Sequence, residues 1–267
     1  MRFSAIAATA GALVLALALV GCGGSGGGSA AKPTNAIEAA ALKTSQAGSV
    51  RTDFTISSPG GVAGTGSGVF NGGKDRSGQL TMNITADGRQ VAVDTVIVGN
   101  TIYVRSPLIS QRLPGGKQWV KVDLQQAAKA ANVDLGTLLS SNPSPAGALA
   151  YLQGSSAIKK LGSERVGGVP TTHYRVVVDL QQAADRASSA DRRALEQAIK
   201  AVGTTTLPVE VWVDSQGYVR KIEYQSGASG QSADVTMEMH DFGSPVPIRA
   251  PATNDVVDLL QAIGAGG

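Results

Sequence analysis

The side chains best suited to chemistry are few. The chain of 267 residues holds one cysteine, Cys22, and two histidines, His173 and His240. Zinc sites draw three or four ligands from Cys, His and carboxylates, and two histidines with no spare cysteine do not compose one. His173, in Thr172-His173-Tyr174-Arg175-Val176, and His240, after Met237-Glu238-Met239, fall on the polar side of alternating segments. Their companions are Arg175 and Glu238, so both histidines read as surface residues. The carboxylate pairs Asp191/Glu196 and Glu210/Asp214 have basic neighbours and read as solvated faces. No Gly-x-Ser-x-Gly elbow sits between a strand and a helix. Gly68 to Lys74 spells Gly-x-x-x-x-Gly-Lys, but Asp75 replaces the hydroxyl residue and a strand pattern follows, so it reads as a hairpin turn. No acid, base and nucleophile converge. The expectation is a protein that is not an enzyme, with no cofactor and no catalytic or metal site.

Cys22 remains as the distinctive group. It ends an apolar run from Ala5 to Val20, preceded by Arg2 and followed by Gly23-Gly24-Ser25-Gly26-Gly27-Gly28-Ser29. Such a run is too short for a comfortable membrane span and reads as a secretory signal peptide. Leu19-Val20-Gly21-Cys22 resembles a bacterial lipobox. That resemblance implies a diacylglycerol on the Cys22 thiol, cleavage before it, and an acyl group such as palmitate on the new amino terminus. The alternative is an ordinary signal peptide cut nearby, leaving a free thiol. Burial of acyl chains contributes about 0.8 kcal/mol per methylene, so two chains anchor stably. The expected organisation is a signal peptide over 1–21, the lipidated cysteine and a flexible tether over 22–33, and a folded domain over 34–267. The tether spans on the order of 18 Å, which holds the domain beside the outer face of the cell membrane.

Charge excludes another class. Loss of Arg2 with the leader leaves 22 Lys+Arg against 20 Asp+Glu, with both signs interspersed. That balance gives no basic patch for nucleic acid. With Cys22 committed, no disulfide can form within the chain. Aromatics make up 4% of residues, so the core must be built from small side chains, which leaves open an incompletely filled interior.

The elements that position these residues follow from periodicity. Asn35 with Glu38 three residues on predicts a capped helix over Ala36 to Ala47. From Val50 the period becomes two, with Thr52, Phe54 and Ile56 on one face. Leu80, Met82, Ile84 and Ala86 repeat it; after the Asp87-Gly88 turn so do Val91, Val93 and Ile97, then Ile102 and Val104, then Trp119-Val120-Lys121-Val122. Asp123 and Asp179 each open a helix in the same phrase, Val-Asp-Leu-Gln-Gln-Ala-Ala. Further helices are expected at Leu135–Leu139, from Pro143 and Pro145 with Ala148, Tyr151 and Leu152 on the apolar side, and from Ser189 to Val202. Later strands carry Tyr174 and Val176, then Val209, Val211 and Val213, then Ile222 and Tyr224, then Val235, Met237 and Met239. A short helix is expected at Asp255–Ile263. About eleven strands with one apolar face need a cover, and the alanine-rich helices supply it.

This order of lipobox, tether, helix, long meander, Trp-Val-Lys-Val-Asp-Leu and more strands resembles the LppX/LprG-type lipoproteins (LppX/LprAFG) of high-GC Gram-positive envelopes, related in fold to the LolA and LolB carriers. Gly168-Val169-Pro170-Thr171-Thr172-His173-Tyr174 and Leu207-Pro208-Val209-Glu210-Val211-Trp212-Val213-Asp214 carry the resemblance, over roughly residues 34–245. It implies an α+β fold: a single curved antiparallel sheet, a half-barrel, with helices across its concave face. It also implies a cavity there for lipid or lipoglycan. Alternation alone selects the cavity-facing candidates Phe54, Ile56, Leu80, Met82, Ile84, Val91, Val93, Ile97, Ile102, Val104, Tyr174, Val176, Val211 and Met237. The expected function is a membrane-anchored, monomeric lipid carrier. The alternative is a solid-core envelope scaffold that engages a protein partner through Trp119 or Trp212, both on the nominally polar face.

Overall fold

The computed structural model describes residues 33–59, 61–72, 77–86, 88–131, 145–186, 192, 195–196, 199, 203–226 and 232–259. Cys22 and the leader, the Leu135–Leu139 helix, Asp191, and the turn residues Lys74 and Asp75 lie outside the described residues. So does most of the helix expected from Ser189 to Val202.

Twelve strands form one open, curved sheet: β1 Ser49–Ser57, β2 Ala63–Asn71, β3 Ser77–Ala86, β4 Arg89–Val98, β5 Thr101–Arg105, β6 Trp119–Asp123, β7 Ser155–Val166, β8 Val169–Asp179, β9 Thr206–Asp214, β10 Val219–Ser226, β11 Ala233–Gly243 and β12 Val256–Asp258. Their spatial order is β12-β6-β5-β4-β3-β2-β1-β11-β10-β9-β8-β7. Every pairing is antiparallel except β6 with β12, which is parallel. Sequential hairpins build each half of the sheet, and β11 returns to pair with β1 and join them. The fold is the expected α+β half-barrel, with helices packed across its concave face.

The helices are α1 Ala36–Ser45, α2 Pro107–Ser110, α3 Leu124–Ala131, α4 Pro145–Tyr151 and α5 Leu180–Arg186. In α1 the Asn35 side chain accepts the N–H groups of Ile37 and Glu38. Glu38 reaches back to the Thr34 N–H at 2.6 Å and to its hydroxyl at 3.0 Å, one residue beyond the expected capping box. Ile37, Ala40, Ala41 and Thr44 are buried at the i, i+3, i+4, i+7 spacing of a core-facing stripe. The repeated phrase does the same work twice. Asp123 accepts from the N–H groups of Gln125 and Gln126 to start α3, and Asp179 accepts from that of Gln182 to start α5.

Helices α1, α4 and α5 meet through the turn Leu152–Gly154. Gly154 allows that junction, since a Cβ there would stand 2.1 Å from the Asp179 carbonyl oxygen. Leu149, Leu152, Leu180, Ala183 and Leu195 join Ile37 over the apolar face of β1–β3 and β8–β11. On β2 Gly64, Gly66 and Gly68 face this core, followed by Phe70, which is buried in it. A Cβ at Gly66 would lie 2.8 Å from Met82 Cγ, so Met82 packs directly on bare backbone.

The C-terminal tail corrects one expectation. Thr253–Asp255 is a single 3-10 turn and Val256–Asp258 is a strand rather than the start of a helix, while Leu259 is helical and the remainder of the expected helix, 260–263, lies outside the described residues. The reason is the free edge of β6, whose outward N–H and C=O groups lack partners in the meander. Two β-branched valines fit that role better than a helix. The tail adds the twelfth strand.

Candidate functional site

Register decides which side chains share a face. Phe54 stands opposite Gly66 and Met237, Gly66 opposite Met82, Met82 opposite Val93, and Thr95 opposite Val104. On the other side, Met237 stands opposite Ile222, Ile222 opposite Val211, Val211 opposite Tyr174, and Val209 opposite Val176. Directly paired residues point to the same side of a sheet. All fourteen candidates therefore lie on one face, the face that carries α1, α4 and α5.

Burial divides them into two groups. Phe54, Ile56, Leu80, Met82, Val176, Val211 and Met237 are fully buried within the core cluster, and Ile84 and Tyr174 pack against its margin. Their apolar surface is already spent on the helices. Val91, Val93, Ile97, Ile102 and Val104, on β4 and β5, share the face but lie outside that cluster. Of these Ile102 is buried at 9% exposure, whereas the other four are only half-buried. The register extends this strip to Val120 and Val122 on β6, which pair with Val104 and Ile102. Those two were readable from the alternation around Lys121 but were not among the fourteen. What the sequence reads as one uniform surface is a packed floor continued by a half-open apolar strip.

The opposite face holds the polar residues, and there three expectations change. His173 is not a solvated side chain. Its ring stacks on Trp212, with centroids 4.0 Å apart and planes 12° apart, and its side chain is 13% exposed. Nδ1 lies 2.9 Å from Glu164 Oε1 and Nε2 lies 2.6 Å from Glu210 Oε2. Trp212 is 4% exposed; its indole N–H donates to Glu164 Oε2 at 2.9 Å, and the Lys221 ammonium sits 4.7 Å above its ring. Cross-strand pairing of His173 with Trp212, and of Trp212 with Lys221, stacks these groups across β8, β9 and β10. The indole and imidazole hydrogen bonds to Glu164 hold its carboxyl below the usual carboxylate range. Trp212 is thus enclosed and presents no face to a membrane or partner.

Asp214 is likewise structural rather than solvated. It accepts from the N–H groups of Gln216 and Tyr218 at the β9–β10 turn and pairs with Arg220 at 2.6 Å. His240 stays exposed beside Asp53 and Asp241, as expected. Trp119 lies half-buried on the outer face under the Arg105 guanidinium, 4.8 Å from the ring centroid. Among the described residues no group of three or more His, Cys, Asp or Glu side chains could hold a metal, and no helix is long and apolar enough to cross a membrane.

A Streptomyces griseus protein, described as an uncharacterized 31.2 kDa protein in the rplA-rplJ intergenic region, is 27% identical over 253 residues, covering 90% of this chain and 83% of that one. LprF from Mycobacterium bovis aligns over 81% of this chain and 95% of its own at 16% identity, with a TM-score of 0.49. LppX from Mycobacterium tuberculosis aligns over 80% and 96% at 14% identity, with a TM-score of 0.45. The model of the LppX_LprAFG lipoprotein family matches residues 32–248, nearly the whole sheet and its helices. The chain belongs to the LppX_LprAFG lipoprotein family.

Proposed function

We propose that this protein is a membrane-anchored, extracytoplasmic carrier that binds an amphiphilic lipid or lipoglycan between its sheet and helices, held at the membrane by acyl chains on Cys22. The observation that carries the reading is the half-buried strip of Val91, Val93, Ile97 and Val104, continuous with a sealed core and on the same face as the helices. Half-buried valines and isoleucines gain from an apolar partner, at roughly 25 cal/mol per Å² removed from water. An acyl chain laid along β4 and β5 supplies that partner, while its polar head stays at the margin in water. Each buried methylene contributes about 0.8 kcal/mol, so one long chain can offset its own cost of leaving a bilayer. The tether keeps the strip within reach of the membrane from which the lipid comes. A binding role rather than catalysis agrees with the histidine and carboxylates of the outer face, which are used in pairing within the sheet.

Native mass spectrometry of the mature protein, extracted from its host's membranes and released from detergent, tests the proposal. The expected result is a bound lipid mass that is lost in Val93→Asp, with the fold retained. A protein at bare mass in both forms would overturn it.

A further inference from the structure

We propose that the outer face of the sheet carries a second, polar binding site, a cleft for a single neutral saccharide ring. The cleft has a volume of about 290 Å³ and is lined by Gln79, Asp94, Arg105, Trp119, Arg249 and Asp255. It lies on the side of β3–β6 opposite the apolar strip, so it is independent of lipid binding.

The site is built rather than incidental. After β11 the chain crosses the outer face as a strap fastened at both ends. At one end the Asn71 amide donates to the Val246 carbonyl at 2.7 Å and its oxygen accepts the Val246 N–H at 2.8 Å. At the other, the Gln118 N–H donates to the Asp255 carboxylate at 2.8 Å, Lys117 donates to the Val256 carbonyl, and β12 pairs with β6. Lys121 with Asp258 at 3.1 Å adds an ion pair across that seam. Between the fastenings the strap stands off the sheet, and the cleft is the gap.

The lining selects the ligand class. Two arginines face two aspartates, so the cleft carries no net charge and favours neither a free anion nor a cation. Arg105 donates through Nε and Nη2 to Asp94 Oδ2, at 3.0 and 2.8 Å, and Asp94 Oδ1 accepts from the Thr81 hydroxyl. That pair is internally satisfied and acts as a fixed wall, with Trp119 beneath the guanidinium. Three groups remain with capacity among the described residues: the Gln79 amide, the second Asp255 oxygen, and the exposed Arg249 guanidinium. They offer an acceptor, a donor and a group that is both. Hydroxyls match all three, because each can donate and accept. Val96, Pro251 and Ala252 complete the lining and, with the indole of Trp119, give it apolar surface for the C–H groups of a sugar ring. A volume of about 290 Å³ admits one ring, at the small end of ligand sites, roughly 300–1,000 Å³.

The test is NMR of the intact protein in detergent, following the two indole N–H signals while d-glucose, d-mannose, d-galactose, d-arabinose and inorganic phosphate are each titrated. At least one sugar should shift the Trp119 signal saturably with a Kd of about 1 mM while the enclosed Trp212 signal stays still. Arg249→Ala removes an exposed side chain without disturbing the core and should weaken that binding by roughly tenfold. Trp119→Phe, read from the backbone amides of Gln79 and Asp94 because its indole signal is gone, should weaken binding while lipid content is unchanged. Shifts driven by phosphate, or saturation by none of the sugars, would overturn the proposal. Equal affinity in Arg249→Ala would overturn it as well.

Discussion

Replacing Glu38 with alanine should unfasten the helical cover. Glu38 lies fully inside the protein, its side chain 1% exposed, and its carboxylate faces Arg186 of α5. It also accepts from the N–H and the hydroxyl of Thr34, fixing the start of α1. Breaking a buried pair by removing one partner costs about 3–5 kcal/mol, because the other charge is left without compensation. Here the lower end applies. Arg186 is 22% exposed and keeps the Gln153 carbonyl at 3.0 Å, so it can turn toward water. An expected loss of about 3 kcal/mol compares with a typical total of 5–15 kcal/mol. At a urea slope of about 2–3 kcal/mol per molar, the midpoint should fall by about 1 M or more. Arg186→Ala should be at least as damaging, because Glu38 has no route to solvent. Hydrogen exchange should place the faster amides in α1 and α5 while β3–β5 are spared. A midpoint shift below about 0.3 M for Glu38→Ala would refute this reasoning, since the carboxylate would then be no part of what holds the helices to the sheet.

Three other expectations are more local. Thr52 is buried on the apolar face of β1, and its hydroxyl has no hydrogen-bond partner among the described residues; Thr52→Val should raise stability by about 1 kcal/mol in urea titration, and a loss of stability would contradict this account. Glu164 has a depressed carboxyl pKa through the Trp212 and His173 hydrogen bonds, so its contribution is full above the unfolded value near 4.5 and is lost as pH falls through its lower folded value. Glu164→Gln should flatten the acid limb of the thermal-stability profile, and an unchanged limb would remove the carboxylate from that role. Asn71→Ala removes both bonds to Val246 and should cost about 1–2 kcal/mol, with exchange at Val246 accelerated while β12 amides are unaffected.

Much of the sheet was legible because its faces differ in kind. Leu80, Met82 and Ile84 alternate with Thr81, Asn83 and Thr85, and that period of two fixes which side chains share a face once strands pair. Helix starts were legible for the same local reason, since Asn35, Asp123 and Asp179 act within three residues of themselves. The division between sealed floor and half-open strip was not. It depends on where α1, α4 and α5 land, and alanine-rich helices give the sequence little that says which strands they cover. The outer face was hidden for a related reason. His173 and Trp212 are thirty-nine positions apart and become a stack only through the register of β8 with β9. The parallel strand β12 was beyond reach because three residues, Val256 to Asp258, carry no period, and their conformation is set by the vacant edge they meet.

The central claim is that the strip on β4 and β5 contacts lipid. Photoreactive residues placed singly at Val93, on the half-open strip, and at Leu161, an exposed residue on the distant strand β7, test it directly in cells. Irradiation followed by mass analysis of the purified protein should give lipid adducts at Val93 and none at Leu161. Adducts to protein alone, or equal lipid labelling at both positions, would contradict the account.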